Sequence, residues 1–298
     1  MTNKMSYMAI DMDLYDVPKN KQQIIKYKSL YFRDFLAELF GTFVMNLLVT
    51  GCAASYTLKG HNSVSDLLGS AIGTAIGVLL GVSLTISISG AHLNPIVTIG
   101  LTLIGKFSHK KIVTYLLAQY LGALLATALV FANYYNAIDF FDSGIRSAYG
   151  HHTSTAHIFT TFPDSTATLT TILMDQIICA TIVMVFVMAV LDDRNLQIPQ
   201  YMVPVLISLI ISGIVISFGV NCGAALNPAR DLSARCFLTF VGYGNDVFSP
   251  LNGLYWLIGG VVGPHLGALI GCSLYLLFIE LHHTNNKHET IALIQPTN

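Results

Sequence analysis

Charged side chains are what this sequence most lacks. Asp, Glu, Lys and Arg together make up 10% of its 298 residues, where a soluble globular domain carries about a quarter. An ordinary water-facing surface cannot be assembled from that supply. The formal net charge of −1 and the lack of a basic stripe interleaved with aromatics remove the electrostatic reason to expect nucleic acid. Cysteine is sparse and unpatterned. Cys52, Cys179, Cys222, Cys236 and Cys272 are odd in number, widely spaced and mostly set in apolar runs, which suggests neither a disulfide framework nor a zinc site. They read as small packing residues. No constellation of nucleophile, base and oxyanion donor is visible, so nothing points to an enzyme. The first thirty residues are polar and hold no apolar core of a signal peptide, so the first hydrophobic run is expected to act as its own insertion signal.

What the chain has instead is hydrophobic length. Hydrophobic residues make up 53% of it, and runs of ~18 or more such residues are read as membrane spans because ~20 residues of helix cross the hydrocarbon layer. Six are expected, at about 35–57, 66–89, 111–135, 169–191, 201–220 and 253–281. Lys19, Lys21, Lys26, Lys28 and Arg33 precede the first, Lys106, Lys110 and Lys111 precede the third, Arg194 follows the fourth and Lys287 lies in the tail. The other side holds only Lys59 and Arg146 in its loops, so the positive-inside rule puts both termini in the cytoplasm. The stretch 136–168 then becomes a long outside loop carrying Asp139, Asp142, Asp164, His151, His152 and His157. Its histidines have no ligand spacing, and the loop is expected to be solvated with no metal.

Two inserts interrupt this pattern. GAHLNPIVTIG at residues 90–100 returns as GAALNPARDLS at 223–233, the first between spans two and three and the second between spans five and six. Each half thus holds three spans and one insert. Because three is odd, the second half enters the bilayer from the opposite side and the repeats are inverted. Asn is a favoured helix N-cap and Pro a favoured first helical residue, so Asn94-Pro95-Ile96 and Asn227-Pro228-Ala229 each begin a helix. The apolar stretch after each is about ten residues, or ~15 Å, half a bilayer. The entering backbone, ISISGAH and FGVNCGA, must be extended at membrane depth, which is tolerated only inside protein or along a wet cavity; Gly90, Gly219 and Gly223 supply the close approach and the dihedrals. Inverted symmetry brings the two N-termini together near the midplane, where positive dipole ends and the Asn amides oppose cations and serve neutral hydrogen-bonding solutes.

With Ala-Glu-Leu-Phe-Gly-Thr at 37–42, these motifs resemble the aquaporin or major intrinsic protein family over about residues 33–282. Asp231, IFTTFPD at 158–164 and FVGYGNDVFSPLNG at 240–253 resemble its aquaglyceroporin branch. The resemblance implies an all-α membrane fold of six transmembrane helices plus two re-entrant half-helices in two inverted repeats (about 33–135 and 169–282), with tails at 1–32 and 283–298. It implies a homotetramer in the lipid bilayer of the plasma membrane, with one passive pore per protomer, no cofactor, and passage of water, glycerol and urea. Offsets from the motifs give a constriction of Thr74, Val215, Ala224 and Arg230. That set lacks the aromatics of typical glycerol facilitators and the Phe and His of water-selective members, so larger solutes are expected to be tolerated. Ile96 stands where the family has Ala, and Gly260-Val261 match neither branch's usual pair.

Glu38 and Asp175-Gln176 are polar groups in apolar spans, where such groups are functional suspects. The resemblance gives Glu38 and Gln176 the task of holding the extended loops. His92 is read as pore wall or loop brace, and Asp231 is too close along the helix to pair with Arg230. Gly69, Gly73 and Gly77, and Gly259, Gly263 and Gly267, are read as close helix packing. A secondary transporter, which also uses inverted repeats and broken helices, and a closed-pore structural membrane protein are the rivals; ion coupling and proteoliposome swelling separate them.

Overall fold

The structure, a computed structural model, describes residues 19–60 and 63–283, with backbone alone for 19–29 and 63–66. The two tails beyond, Lys287 included, lie outside the described residues. Nine α-helices follow one another among the described residues: α1 (Lys19–Thr57), α2 (Ser63–Thr85), α3 (Pro95–Leu103), α4 (Ile112–Phe141), α5 (Leu169–Leu191), α6 (Val203–Phe218), α7 (Pro228–Leu238), α8 (Tyr255–Leu257) and α9 (Gly263–Phe278). A π turn, Ile258–Val262, joins α8 to α9, so the pair forms one crossing. Six crossings are long and apolar enough to span a bilayer. α3 and α7 are the two half-helices.

Packing repeats between the halves. α1 packs on α2 and α4 as α5 packs on α6 and α9, and α2 meets α6 across the centre. The half-helices are exchanged: α3 packs on α9 of the second half, and α7 on α4 of the first. This is the arrangement of two inverted repeats interlocked through their inserts.

Without a hydrophobic drive between helices in lipid, close backbone approach has to supply the contact energy, and the glycine rows do this. A Cβ on Gly73 would stand 2.5 Å from Cys52, one on Gly77 2.6 Å from the Met45 carbonyl, and one on Gly267 2.5 Å from the Ile177 carbonyl. The opposite faces present leucine to the outside, as with Leu117, Leu121, Leu125 and Leu129 of α4. A stripe of that kind belongs against lipid or another apolar surface.

The boundaries differ from the sequence expectation in instructive ways. α1 begins sixteen residues earlier, at Lys19, and α4 runs on to Phe141, because hydropathy marks the part of a helix that lies in lipid and not where its hydrogen bonding stops. α2 ends at Thr85; residues 86–89 turn away to feed α3. The long loop is also less solvated than expected. Ala156, Ile158 and Phe159 are fully buried in a cluster with Val130, Phe131 and Leu238, and Asp142 is buried in a pair with Arg146 at 2.6 Å. His151 and His152 are exposed and stacked on each other with ring centroids 5.1 Å apart.

A pore between two opposed half-helices

The turns into α3 and α7 are copies of each other in backbone angle. Gly90, Ala91 and Leu93 have φ of 88°, 52° and 50°; Gly223, Ala224 and Leu226 have 70°, 53° and 45°. Non-glycine residues in this region cost about 1–2 kcal/mol each, so something must hold Ala91, Leu93, Ala224 and Leu226 there. Gly219 meets only the close-approach half of its expectation: its φ is −69°, an ordinary helical value. Its lack of a side chain serves contact instead, since a Cβ would lie 3.0 Å from Leu67.

The holding groups are the buried polar side chains of the first and fourth crossings. Glu38, with no exposed surface, accepts from Ser89 Oγ at 2.6 Å, His92 N at 2.9 Å, Leu93 N at 2.8 Å and Gln119 Nε2 at 2.8 Å. Buried hydrogen bonds contribute about 0.5–1.5 kcal/mol each, and those to His92 N and Leu93 N act directly against the cost of the strained dihedrals. In the second half Gln176 Oε1 accepts from Leu226 N at 3.0 Å. Asp175 accepts from Asn221 Nδ2 and Gln176 Nε2, both at 2.9 Å. His92 is braced by Thr98 Oγ1 at 3.1 Å from its Nδ1 and by the rings of Phe107 and Tyr115.

Both asparagines cap their helices. Asn94 Oδ1 accepts from Ile96 N at 3.1 Å, and Asn227 Oδ1 accepts from Ala229 N at 3.1 Å and Arg230 N at 3.3 Å, with Pro95 and Pro228 at the first helical position. Each amide also reaches across: Asn94 Nδ2 donates to the Leu226 carbonyl at 3.2 Å, and Asn227 Nδ2 to the Leu93 carbonyl at 2.9 Å. The half-helices therefore meet N-terminus to N-terminus, as expected, but one amide N–H of each Asn is engaged by the partner loop, leaving the second free for a solute. Ile96 points away from this junction and is fully buried in the cluster of Cys179, Met184, Ala268 and Cys272, so its extra bulk fills helix packing.

A cavity of about 1160 Å³ is lined by both asparagines. At one end its wall includes Thr160, Phe162 and Asp164 of the long loop; at the other, Lys106, Asp193 and Gln200. Its lining combines aliphatic side chains, among them Val78, Val82, Val187 and Ile211, with the polar backbone of the two loops and Arg230. Thr74, Val215 and Ala224 line the same cavity. At the long-loop mouth the Thr166 N–H (2.9 Å) and hydroxyl (2.7 Å) donate to Asp164 Oδ1; they hold that carboxyl below the usual carboxylate range, so it is charged.

Arg230 and Asp231 part company despite being neighbours. Asp231 pairs with Arg235, Nε to Oδ2 at 2.7 Å, both buried, and also accepts from Thr160 Oγ1 at 2.6 Å, Thr161 Oγ1 at 2.6 Å and Thr161 N at 3.0 Å. Arg235 further donates to the Val247 and Thr161 carbonyls. Arg230 lines the cavity with a buried Nε that has no hydrogen-bond partner, and it forms no salt bridge of its own among the described residues. Gly260 serves this assembly, because a Cβ there would lie 2.7 Å from Asp231 Oδ2.

The family profile described as major intrinsic protein matches residues 25–275. The chain belongs to the major intrinsic protein family. It is 36% identical over 265 residues to human aquaporin-9, covering 89% of this chain and 88% of that one. To human aquaporin-10 it is 34% identical over 270 residues, covering 91% and 88%. The X-ray structure of the aquaglyceroporin from Plasmodium falciparum superposes with a TM-score of 0.74 at 32% identity, covering 84% of this chain and 97% of that one. The protein is thus an integral, multi-pass channel of the aquaglyceroporin branch for water and small uncharged solutes.

Sequence reasoning missed the supporting cast: Arg235, Gln119, Ser89, the loop threonines, and Tyr255, whose hydroxyl donates to Thr161 Oγ1 at 2.9 Å. One signal was available. Asp231 and Arg235 stand four apart on a helix, the spacing at which opposite charges meet.

Proposed function

We infer that this chain conducts water, glycerol and urea passively and excludes ions and protons, as a channel and not an enzyme, with no cofactor. The single observation that carries the reading is the lining position of Arg230, without a salt bridge of its own, in a cavity that also receives the N-termini of α3 and α7. Each helix terminus supplies about half a positive charge, so a cation meets repulsion both there and at Arg230, while a hydroxyl or amide meets donors. Among the described residues no donor engages the carbonyls of Gly90, Ala91, His92, Gly223 or Ala224, which leaves backbone acceptors in a cavity whose lining is otherwise largely aliphatic. A polyol, with oxygens on one edge and carbons on the other, matches both.

In this reading Asn94, Pro95, Ile96, Asn227, Pro228 and Ala229 form the paired motifs, and Thr74, Val215, Ala224 and Arg230 the selectivity filter. Glu38, Gln176, His92 and Asp231 hold them. The channel unit is residues 33–282, in a homotetramer of the plasma membrane with cytoplasmic tails. Stopped-flow light scattering of proteoliposomes tests it: water, glycerol and urea should each equilibrate faster than in empty vesicles, linearly with concentration and without regard to proton or sodium gradients. Saturating, gradient-dependent uptake would mean a secondary transporter instead, and no flux would mean a closed pore.

A further inference from the structure

We propose that Phe162, from the long loop, sets the upper size limit for solutes by supplying the aromatic wall that Thr74, Val215 and Ala224 lack; this rests on the neutral-solute reading above. The residue precedes Pro163, which restricts its backbone to extended conformations. Both flanks are fixed. Thr160 and Thr161 are bonded to Asp231, and Asp164 N donates to the Asn221 carbonyl at 2.9 Å. Thr161 Cγ2 stands 3.8 Å from where a Cβ on Gly223 would be. Residues 160–164 therefore run beside 221–223, the approach to the second half-helix, and Phe162 lines the cavity there.

The ring is also held in place. Tyr149 stacks on it with centroids 5.7 Å apart and planes at 19°, and the Arg235 guanidinium carbon lies 5.1 Å from its centroid. A contact of that kind adds attraction between cation and ring. The same Arg235–Asp231 pair that leaves Arg230 without a salt bridge of its own thus fixes the loop and the ring it carries. A solute coming from this mouth passes this fixed aromatic surface on its way to the Arg230 donors. Polyol carbons pack against such a surface, and longer solutes have to fit past it.

The test uses the full-length protein in proteoliposomes, with Phe162→Ala, Phe162→Leu and Phe162→Tyr compared with wild type for water, glycerol and a five-carbon polyol. The expected result is a rise of about fivefold in the ratio of five-carbon polyol to glycerol flux in Phe162→Ala, a smaller rise in Phe162→Leu, and a wild-type ratio in Phe162→Tyr, with water flux unchanged. Phe162→Leu keeps an apolar contact to Arg235 and Tyr149, so it reports even where the alanine variant fails to fold. An unchanged ratio in the folded variants, with normal wild-type glycerol flux, overturns the role of Phe162 alone. Absence of wild-type glycerol flux overturns the neutral-solute reading beneath it.

Discussion

Replacing Arg230 by valine isolates the electrostatic part of selectivity. It has no close counter-ion, because Asp231 is committed to Arg235 at 2.7 Å. A monovalent cation passing at about 4 Å would be opposed by about 4 kcal/mol at an effective dielectric constant of ~20. Removing that opposition is worth at most about a thousandfold in rate, at ~1.4 kcal/mol per tenfold. The N-termini of α3 and α7 remain as a second obstacle in series, so the expected rise in cation or proton leak is smaller, about tenfold or more. The assay is voltage clamp on membranes with matched amounts of protein, alongside water and glycerol flux, which should persist. Arg230→Lys keeps the charge and loses the planar fork, and should leak little. The reasoning is refuted if the valine variant conducts neutral solutes normally with no added leak, or if the lysine variant leaks as much as the valine one.

Thr74→Phe places a ring in the proposed filter on a regular helix, avoiding the φ of 53° at Ala224; glycerol and urea flux should fall more than water flux, and equal loss of all three in stopped-flow would reject the filter assignment. Arg235→Met strands the buried Asp231 carboxylate and should lower stability by about 3–5 kcal/mol, read as thermal unfolding in detergent; adding Asp231→Leu should recover much of it, and a harmless single variant would contradict the pairing. Gly267→Ala drives a Cβ toward the Ile177 carbonyl at 2.5 Å and should cost about 1–3 kcal/mol. Gly213→Ala, with nothing within 4 Å, should be neutral by the same measurement, and similar losses at both positions would undo the packing argument.

The parts of this molecule that were legible in advance are those written as short-range pattern. Asn-Pro is a cap signal complete within two residues, and its repetition carried the inverted architecture with it. The glycines spaced by four announced tight crossings before any helix was paired. Glu38 and Gln176 stood out because a polar group in an apolar run needs a reason. What was not legible depends on contacts between distant segments. Nothing near Thr160 and Thr161 says that they will bond Asp231 some seventy positions away, and although Arg146 stands four residues from Asp142, nothing local says that this carboxylate will be buried and not solvated. The dihedral role assigned to Gly219 failed because a glycine in sequence does not disclose whether the chain needs its freedom of φ or its small size. Helix ends were misplaced where polar residues continue a helix beyond lipid, as in α1 and α4.

The account stands on a continuous wet lumen that passes both capping asparagines, each with one amide N–H free. A high-resolution cryo-EM or crystal structure of the protein in lipid measures this most directly. The expected result is a single file of ordered solvent or glycerol running from the mouth beside Phe162 to the mouth beside Lys106, within hydrogen-bond distance of Asn94 Nδ2 and Asn227 Nδ2. A dry, closed gap between the two asparagines, or solvent density that bypasses them, would contradict it.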